Sequence, residues 1–498
     1  MNRPTDRPFG SDYATARLAF TVIAAMTLAR IWFLGRSGLE LYGDEAQYFA
    51  WSRDLAFGYF TKPPLIAWLI AGTTALYGTS ESAIRLAAPL CHAATAILLF
   101  ATGWRLFDLR TGSIAAVLWI LLPGVSFSSL IISTDAPMLM FAALALFGYA
   151  GLLVDPKSRA NMVYLGLGLG LGLLSKLAMA YALAGLGLHM LLDRNARHLL
   201  RHWQFWAALL IGLLVYAPNI YWNLTHQAAT YGHLAENAAL GGSLFNPQNM
   251  LAFLGGQFGV FGPLPLVALI LVAIRRESWA DPGLRLCLCF ALPVLALMTA
   301  QSLASRAFAN WAAFAYIGAS LCVARFLLDR PRLVHGNTLF HGLIAVALFA
   351  WGLGLVQPPL KNDPVAGLHG WRRLSAEIAK EWERSGAPTL IATDRMEMAR
   401  LFYYLPLMYG PLRIVSSDGR AHSEFDISAP LDALTGASGL VVSRFSDLGP
   451  LAQRFGSVEL YATINMPRKN APALKYYLFK VTDYRLPEDS AARQADNP

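Results

Sequence analysis

The residues best suited to chemistry are two adjacent carboxylates, Asp44 and Glu45 in "GDEAQYFAW", and a third, Asp135 in "STDAPMLM". A placed carboxylate orients or deprotonates a hydroxyl, or stabilises positive charge growing on carbon. Three cations accompany them: Lys62 in "TKPPLIAW", Arg85 in "AIRLAAPL" and Lys176 in "GLLSKLAM". Lys and Arg hold phosphate through charge-assisted hydrogen bonds. Carboxylates for a nucleophile beside cations for a phosphate suit transfer of a group from a lipid phosphate. Tyr59, His226 and Arg306 are further candidates for lining a substrate cavity. Each has a blander alternative. Asp44 with Gln47 three residues on has the pattern of a capping box, and Asp135 ahead of Pro137 that of an N-cap. Lys62 near a membrane surface would snorkel. His226 and His233, with Asn223 and Glu236 in the same loop, read first as solvated side chains, and the metal question stays open.

The elements that must position these residues are membrane helices. Of 498 residues, 56% are hydrophobic and only 14% charged, whereas a soluble domain carries roughly a quarter charged. Apolar runs near the ~20 residues needed to cross a bilayer recur at 18–35, 83–104, 112–132, 136–154, 160–174, 177–192, 203–222, 250–274, 284–303, 307–328 and 338–357, about eleven spans. The net charge of +9 is concentrated in short loops, a membrane pattern rather than a nucleic-acid one. One set of loops holds roughly sixteen Lys and Arg against six in the other. The richer set belongs in the cytoplasm, so Asp44, Asp135 and the C-terminal region face outward. The N-terminal run has no convincing small-residue cleavage site and reads as an uncleaved anchor. Cys91, Cys287, Cys289 and Cys322 all lie in apolar stretches, which argues against a disulfide framework.

Two regions depart from simple spans. "PPLIAWLIAGTTALYG" is too short to cross and apolar enough to lie in the interface, so interfacial helices are expected in the first outer loop. Residues 160–192 are too long for one span and short for two, since roughly 15 residues cover about 22 Å of a ~30 Å core. The break falls at "SK", which puts Lys176 below the surface, where an ionisable group is functional by default. After residue 357 the chain turns charged and mixed. "WRRLSAEIAKEWERSG" and "EMARLFYYL" read as helices, and "PTLIATDR", "LRIVSS", "GLVVSRF" and "KYYLFKVTDY" as strands. The expected organisation is an all-α polytopic membrane domain over 1–357, a small extracytoplasmic α/β domain over 358–485, and a disordered tail over 486–498.

The stretches "GDEAQYFAWSRDLAFGYFTKPPLIAWLI", "AIRLAAPL", "STDAPMLMF", "LGLGLGLLSKLAM" and "LASRAFANWAAFAYIGA" resemble the GT-C class of integral-membrane glycosyltransferases. The nearest branch holds protein O-mannosyltransferases, lipid A aminoarabinose transferases and lipopolysaccharide galacturonosyltransferases. The resemblance implies a GT-C-like fold in a bacterial inner membrane and transfer of one sugar, with inversion, from a polyprenyl-phosphate donor of undecaprenyl type. The implied acceptor at the periplasmic face is lipid A, lipopolysaccharide or another envelope glycan or lipid; a protein O-mannosyltransferase-like activity is a further implied reading. Asp44, with Glu45 beside it, and Asp135 match its loop carboxylates. Lys62 matches its donor-phosphate lysine, and Arg85 and Lys176 match basic positions around its cavity. Thr61 stands where the aminoarabinose branch has a glutamate, so metal ligation does not carry over there; no cofactor is certain, and a divalent cation is compatible. The competing reading is a polyprenyl-linked lipid transporter or flippase without transferase activity, which also uses short broken helices and a buried lysine. The sequence leaves the sugar, the acceptor and the oligomeric state open.

The loop charges make one direct prediction. In paired reporter fusions at residue 450, the reporter active outside the cytoplasm is expected to signal and the cytoplasmic one to stay silent. The reverse pattern would overturn the orientation.

Overall fold

The computed structural model describes residues 9–226, 228–232, 245–356, 365–405, 410–416, 421–468 and 471–486. His233, Glu236 and all but the first residue of the expected tail lie outside the described residues. The chain is mostly helical with one small sheet. It clusters into two compact units: Met1–Arg36 with Lys62–Leu69 and Arg85–Ala350, and Ser37–Thr61 with Ile70–Ile84 and Trp351–Pro498.

The helices long and apolar enough to cross a membrane number six among the described residues: Asp12–Arg36, Glu81–Leu106, Asp135–Val154, Trp203–Thr225, Pro282–Ala304 and Pro331–Gly352. This is a multi-pass membrane protein. Leu65–Tyr77, Leu109–Leu121, Leu177–Leu192 and Ala315–Leu327 are shorter apolar helices. Two runs that read as continuous are broken. The run 112–132 becomes Leu109–Leu121 and Pro123–Ser128, because Pro123 has no N–H and its ring excludes helical geometry before it. The run 250–274 becomes Pro247–Val260 and Pro263–Ile274, bent by 110°. Gly262 makes that bend at φ 94, and a Cβ there would lie 2.3 Å from His341 Nε2, so only glycine serves. The break in 160–192 falls at Lys176, as its sequence indicates.

Packing in this unit depends on small residues and on partners for freed polar groups. In helix Arg159–Ser175 the glycines alternate in what they touch. A Cβ on Gly168 would lie 2.5 Å from Ala145 N, while one on Gly166 or Gly170 would lie 2.8 Å from the carbonyl oxygen of Ala208 or Gly212. The helix is thus held close between two neighbours, as small-residue packing in membranes permits. At the 122–123 break the freed carbonyl of Ile120 accepts from Arg30 Nη2 at 2.5 Å, and Ser126 Oγ lies 3.2 Å from the same nitrogen. A cation on the C-terminal end of a helix also complements its dipole. His92 Nε2 and Ser128 Oγ, 3.1 Å apart, tie the following turn to the Ala87–Leu106 helix.

The second unit carries a five-stranded mixed sheet. Its strands are β1 (Leu390–Ala392), β2 (Leu412–Ile414), β3 (Gly439–Ser443), β4 (Phe455–Arg468) and β5 (Ala471–Tyr484), in the order β2-β1-β3-β5-β4. β1 is parallel to β2 and β3, and β5 is antiparallel to β3 and β4. The strand β4, absent from the sequence reading, is largely exposed and has little apolar signal of its own. Helix Trp371–Ser385 ends on Gly386 at φ 63, and Asp394 caps helix Arg395–Tyr404 by accepting from Met396 N and Glu397 N. Onto the 395–404 helix packs Gly43–Trp51 from the first loop. Leu41 N–H donates to Tyr404 OH at 2.7 Å, Trp371 N–H to Glu40 at 2.5 Å and Phe60 N–H to Glu424 at 3.0 Å. The loop is therefore part of the second unit's core.

Glu397 sits at the centre of that unit, 3% exposed. Burial, reinforced by Asp394, pushes its carboxyl up from 4.5 to about 7, against the pull of Arg444. Between those values the folded chain holds a proton that the unfolded chain has lost. Stability from this group is thus present at low pH and falls as pH rises toward 7. Glu397→Gln cannot ionise, so its melting temperature in detergent is expected to fall less than wild type between pH 5 and pH 8. Identical pH slopes for the two proteins would refute the assignment.

Candidate functional site

In the membrane unit, Asp135 is the first residue of helix Asp135–Val154, and no side chain caps that helix start. Instead its carboxylate reaches outward from the helix. Oδ1 accepts from Lys176 Nζ at 2.6 Å and Oδ2 from Asn310 Nδ2 at 3.2 Å. The Lys176 and Asp135 side chains are only 21% and 12% exposed. Removing one partner of a buried pair costs about 3–5 kcal/mol. Lys176 follows the last helical residue of Arg159–Ser175 with extended backbone, which turns its side chain away from the helix track. An ammonium has three donors, so the bond to Asp135 leaves donors for a further acceptor.

The segment that follows Lys62 packs in this unit too. Leu65, three residues on, packs with Leu174 and Tyr216, and Leu174 is two residues before Lys176. The helix that follows the Lys62–Pro63–Pro64 turn thus shares an apolar cluster with the end of Arg159–Ser175, and Lys62 is half-buried. Arg85 closes the short helix Glu81–Arg85 and is 1% exposed. His226 follows the Trp203–Thr225 helix, stacks on Trp222 at 4.2 Å and hydrogen-bonds its carbonyl at 2.8 Å, which is a helix-end role. Arg306 is exposed in the turn after Pro282–Ala304. It is Asn310, four residues on, that reaches Asp135. The motif "SRAFANW" pointed to this turn without indicating which side chain does the work.

In the second unit the first loop separates its two carboxylates. The helix Gly43–Trp51 starts after Tyr42, and Glu45 Oε2 accepts from Tyr42 N–H at 2.9 Å. Glu45 thus supplies the reciprocal half of a capping box and is 1% exposed. The capping pattern read on Asp44 and Gln47 is corrected accordingly: the box runs from Tyr42 to Glu45. Gln47 instead donates toward Thr61 Oγ1 at 3.4 Å. Asp44, in the first turn and half-buried, is left free of the capping task. Tyr59 organises the loop: its ring stacks on Trp51 at 4.7 Å and its hydroxyl lies 3.0 Å from Trp51 O and 2.9 Å from Asp54 O. Burial pushes that phenol up to about 12, so it acts as a neutral donor. Among the described residues no three His, Cys, Asp or Glu side chains form a metal-ligand group.

A family model described as dolichyl-phosphate-mannose-protein mannosyltransferase matches residues 61–222. The lipid A galacturonosyltransferase RgtD of Rhizobium johnstonii is 32% identical over 397 residues, covering 78% of this chain and 83% of that protein. The crystal structure of ArnT from Cupriavidus metallidurans bound to undecaprenyl phosphate matches with a TM-score of 0.61 at 16% identity, over 94% of this chain and 99% of that one. The Archaeoglobus fulgidus oligosaccharyltransferase matches with a TM-score of 0.51 at 13% identity, over 89% of this chain and 68% of that one. These two likenesses concern the fold.

The division of the Asp44–Glu45 pair is testable by stability alone. Losing a cap costs about 0.5–2 kcal/mol, so Glu45→Ala is expected to melt lower than wild type and Glu45→Gln to recover much of the loss. Asp44→Ala should melt near wild type. If Asp44→Ala proved the more damaging change, Asp44 would be the structural residue.

Proposed function

The chain belongs to the GT-C class of integral-membrane glycosyltransferases, and from that premise we propose that it transfers a single sugar from a polyprenyl-phosphate carrier to lipid A or lipopolysaccharide. The carrier is of the undecaprenyl type and the sugar is of the galacturonic acid type. The reaction takes place at the periplasmic face of the bacterial inner membrane. The observation that best supports this reading is the pairing of Lys176 with Asp135, itself held by Asn310, at a helix break inside a membrane unit. The activity named for the Rhizobium relative supports the sugar and the acceptor class.

The acceptor oxygen forms a bond to the anomeric carbon while the bond from that carbon to the carrier phosphate oxygen breaks. The electron pair leaves with the polyprenyl phosphate, and the configuration inverts. Lys62, Arg85 and Lys176 stabilise the charge that the phosphate gains, an effect strengthened where water is scarce. Asp135 holds Lys176 in place and, with Asn310, fixes the direction of its remaining donors. Asp44 serves the other half of the reaction. With a hydroxyl acceptor it removes the proton; with an acceptor phosphate, already ionised, it stabilises positive charge developing on the sugar ring.

The test is single-turnover transfer from a synthetic polyprenyl-phosphate uronose to lipid A, with wild type and Asp44→Asn. Asn keeps the shape and removes the charge and basicity. A fall of about a hundredfold or more at unchanged melting temperature is expected for a general base. A stable, fully active Asp44→Asn protein would sink the role given to Asp44. A wild-type protein that transfers no sugar would sink the function.

A further inference from the structure

Arg400 is a buried cation whose hydrogen-bonding capacity is unused. It lies on helix Arg395–Tyr404 and is 5% exposed. Its guanidinium carbon lies over the Trp371 ring, 3.6 Å from the ring centre. Nε and Nη1 are buried without a hydrogen-bond partner, and among the described residues no carboxylate pairs with it. On the same helix, Glu397 accepts from Arg444 through Oε1 while its Oε2 has no hydrogen-bond partner, and Asp394 caps the helix start. A buried guanidinium left in this state is costly, and an anionic acceptor would relieve the cost.

The remaining nitrogen, Nη2, lies against the start of helix Gly43–Trp51. It lies 3.1 Å from the position a Cβ on Gly43 would occupy. That Cβ would also lie 2.7 Å from Met396 Sδ, so the absence of a side chain at Gly43 is what lets Arg400 approach. Gly43 is the first residue of helix Gly43–Trp51, whose opening N–H groups have no partner within the helix and carry the positive end of its dipole. Asp44 is the next residue. A guanidinium and a helix start thus converge beside the carboxylate proposed to act at the sugar.

We propose that Arg400 and this helix start recognise the carboxylate of the transferred sugar, making Arg400 the residue that selects an acidic donor, a uronic acid, over a neutral hexose. The inference rests on the proposed function. In a uronosyl ring the carboxyl carbon is attached to the ring atom across the ring oxygen from the anomeric carbon. The carboxylate given a role at the sugar, Asp44, follows Gly43 directly in the same helix turn. Arg suits this task because its fixed pair of N–H donors matches a carboxylate.

The experiment compares a polyprenyl-phosphate galacturonose with the corresponding galactose donor, measuring both binding and transfer with the full-length protein in nanodiscs. Wild type is expected to favour the acidic donor at least tenfold, the scale of one charge-assisted contact. Arg400→Gln should bring that ratio to within about twofold, through KM rather than kcat. Arg400→Lys keeps the charge without the paired donors and should give an intermediate ratio; it also serves should the Gln variant fail to fold. Equal preference in wild type, a preference untouched by both variants, or an effect confined to the KM of a phosphorylated acceptor would each overturn the inference. Discrimination in binding without any transfer would support it while counting against the proposed function. Transfer without discrimination does the opposite.

Discussion

The ion pair between Asp135 and Lys176 is the interaction around which the membrane unit is arranged. It joins three stretches distant in sequence: the start of Asp135–Val154, the break after Arg159–Ser175, and, through Asn310, the turn before Ala315–Leu327. An ionised side chain among apolar helices is tolerated when a partner offsets its lost hydration. Here each charge offsets the other, and both groups are held in one geometry rather than free to seek water. The helix break is what makes the pair feasible, since it turns Lys176 off the helix surface. The same break exposes carbonyls, and backbone hydrogen bonds such as Met179 N–H to Lys176 O at 3.0 Å recover part of that loss.

The pressure on polar groups to find partners where water is absent shapes the rest of the unit in part: Arg30 is paired through Nη2, while its Nε and Nη1 stay buried without a partner. The Pro123 break is acceptable because Arg30, from the first helix, caps the exposed end. Arg30 in turn is acceptable there because a helix end is a negative pole. Glycine contacts bring helices close enough for such side chains to reach across. Structure and chemistry are linked most directly at the Lys176 break, where the extended backbone turns the lysine off the helix and toward Asp135.

The second unit shows a different division of labour. Of two adjacent acids, Glu45 is spent on the fold and Asp44 is not. Of two neighbouring arginines, Arg444 is paired with Glu397 and Tyr476, while Arg400 lies over Trp371 and is unpaired. In each case the unspent group lies at the start of helix Gly43–Trp51. Stability is supplied by the partnered member, which leaves the other available for a ligand.

Much of this protein follows from local sequence alone. The apolar runs establish a multi-pass membrane protein, because burying backbone in a bilayer demands long apolar helices whatever their neighbours are. The Ser-Lys interruption marks its own helix break, and the strands β1, β2, β3 and β5 carry enough apolar signal to be read directly. Asp44, Lys62, Asp135 and Lys176 are visible as residue types in polar stretches that an apolar chain has little reason to keep. What tertiary structure decided are the partnerships. Whether Asp44 or Glu45 caps a helix depends on a backbone start one or two residues away. The ties of Asp135 to Lys176 and Asn310 span 41 and 175 residues, and nothing local encodes them. Arg400 reads as one more cation on an amphipathic helix until Gly43 and Trp371 are brought against it. Sequence determines which groups are costly to leave alone; only the folded chain determines which of them are left alone.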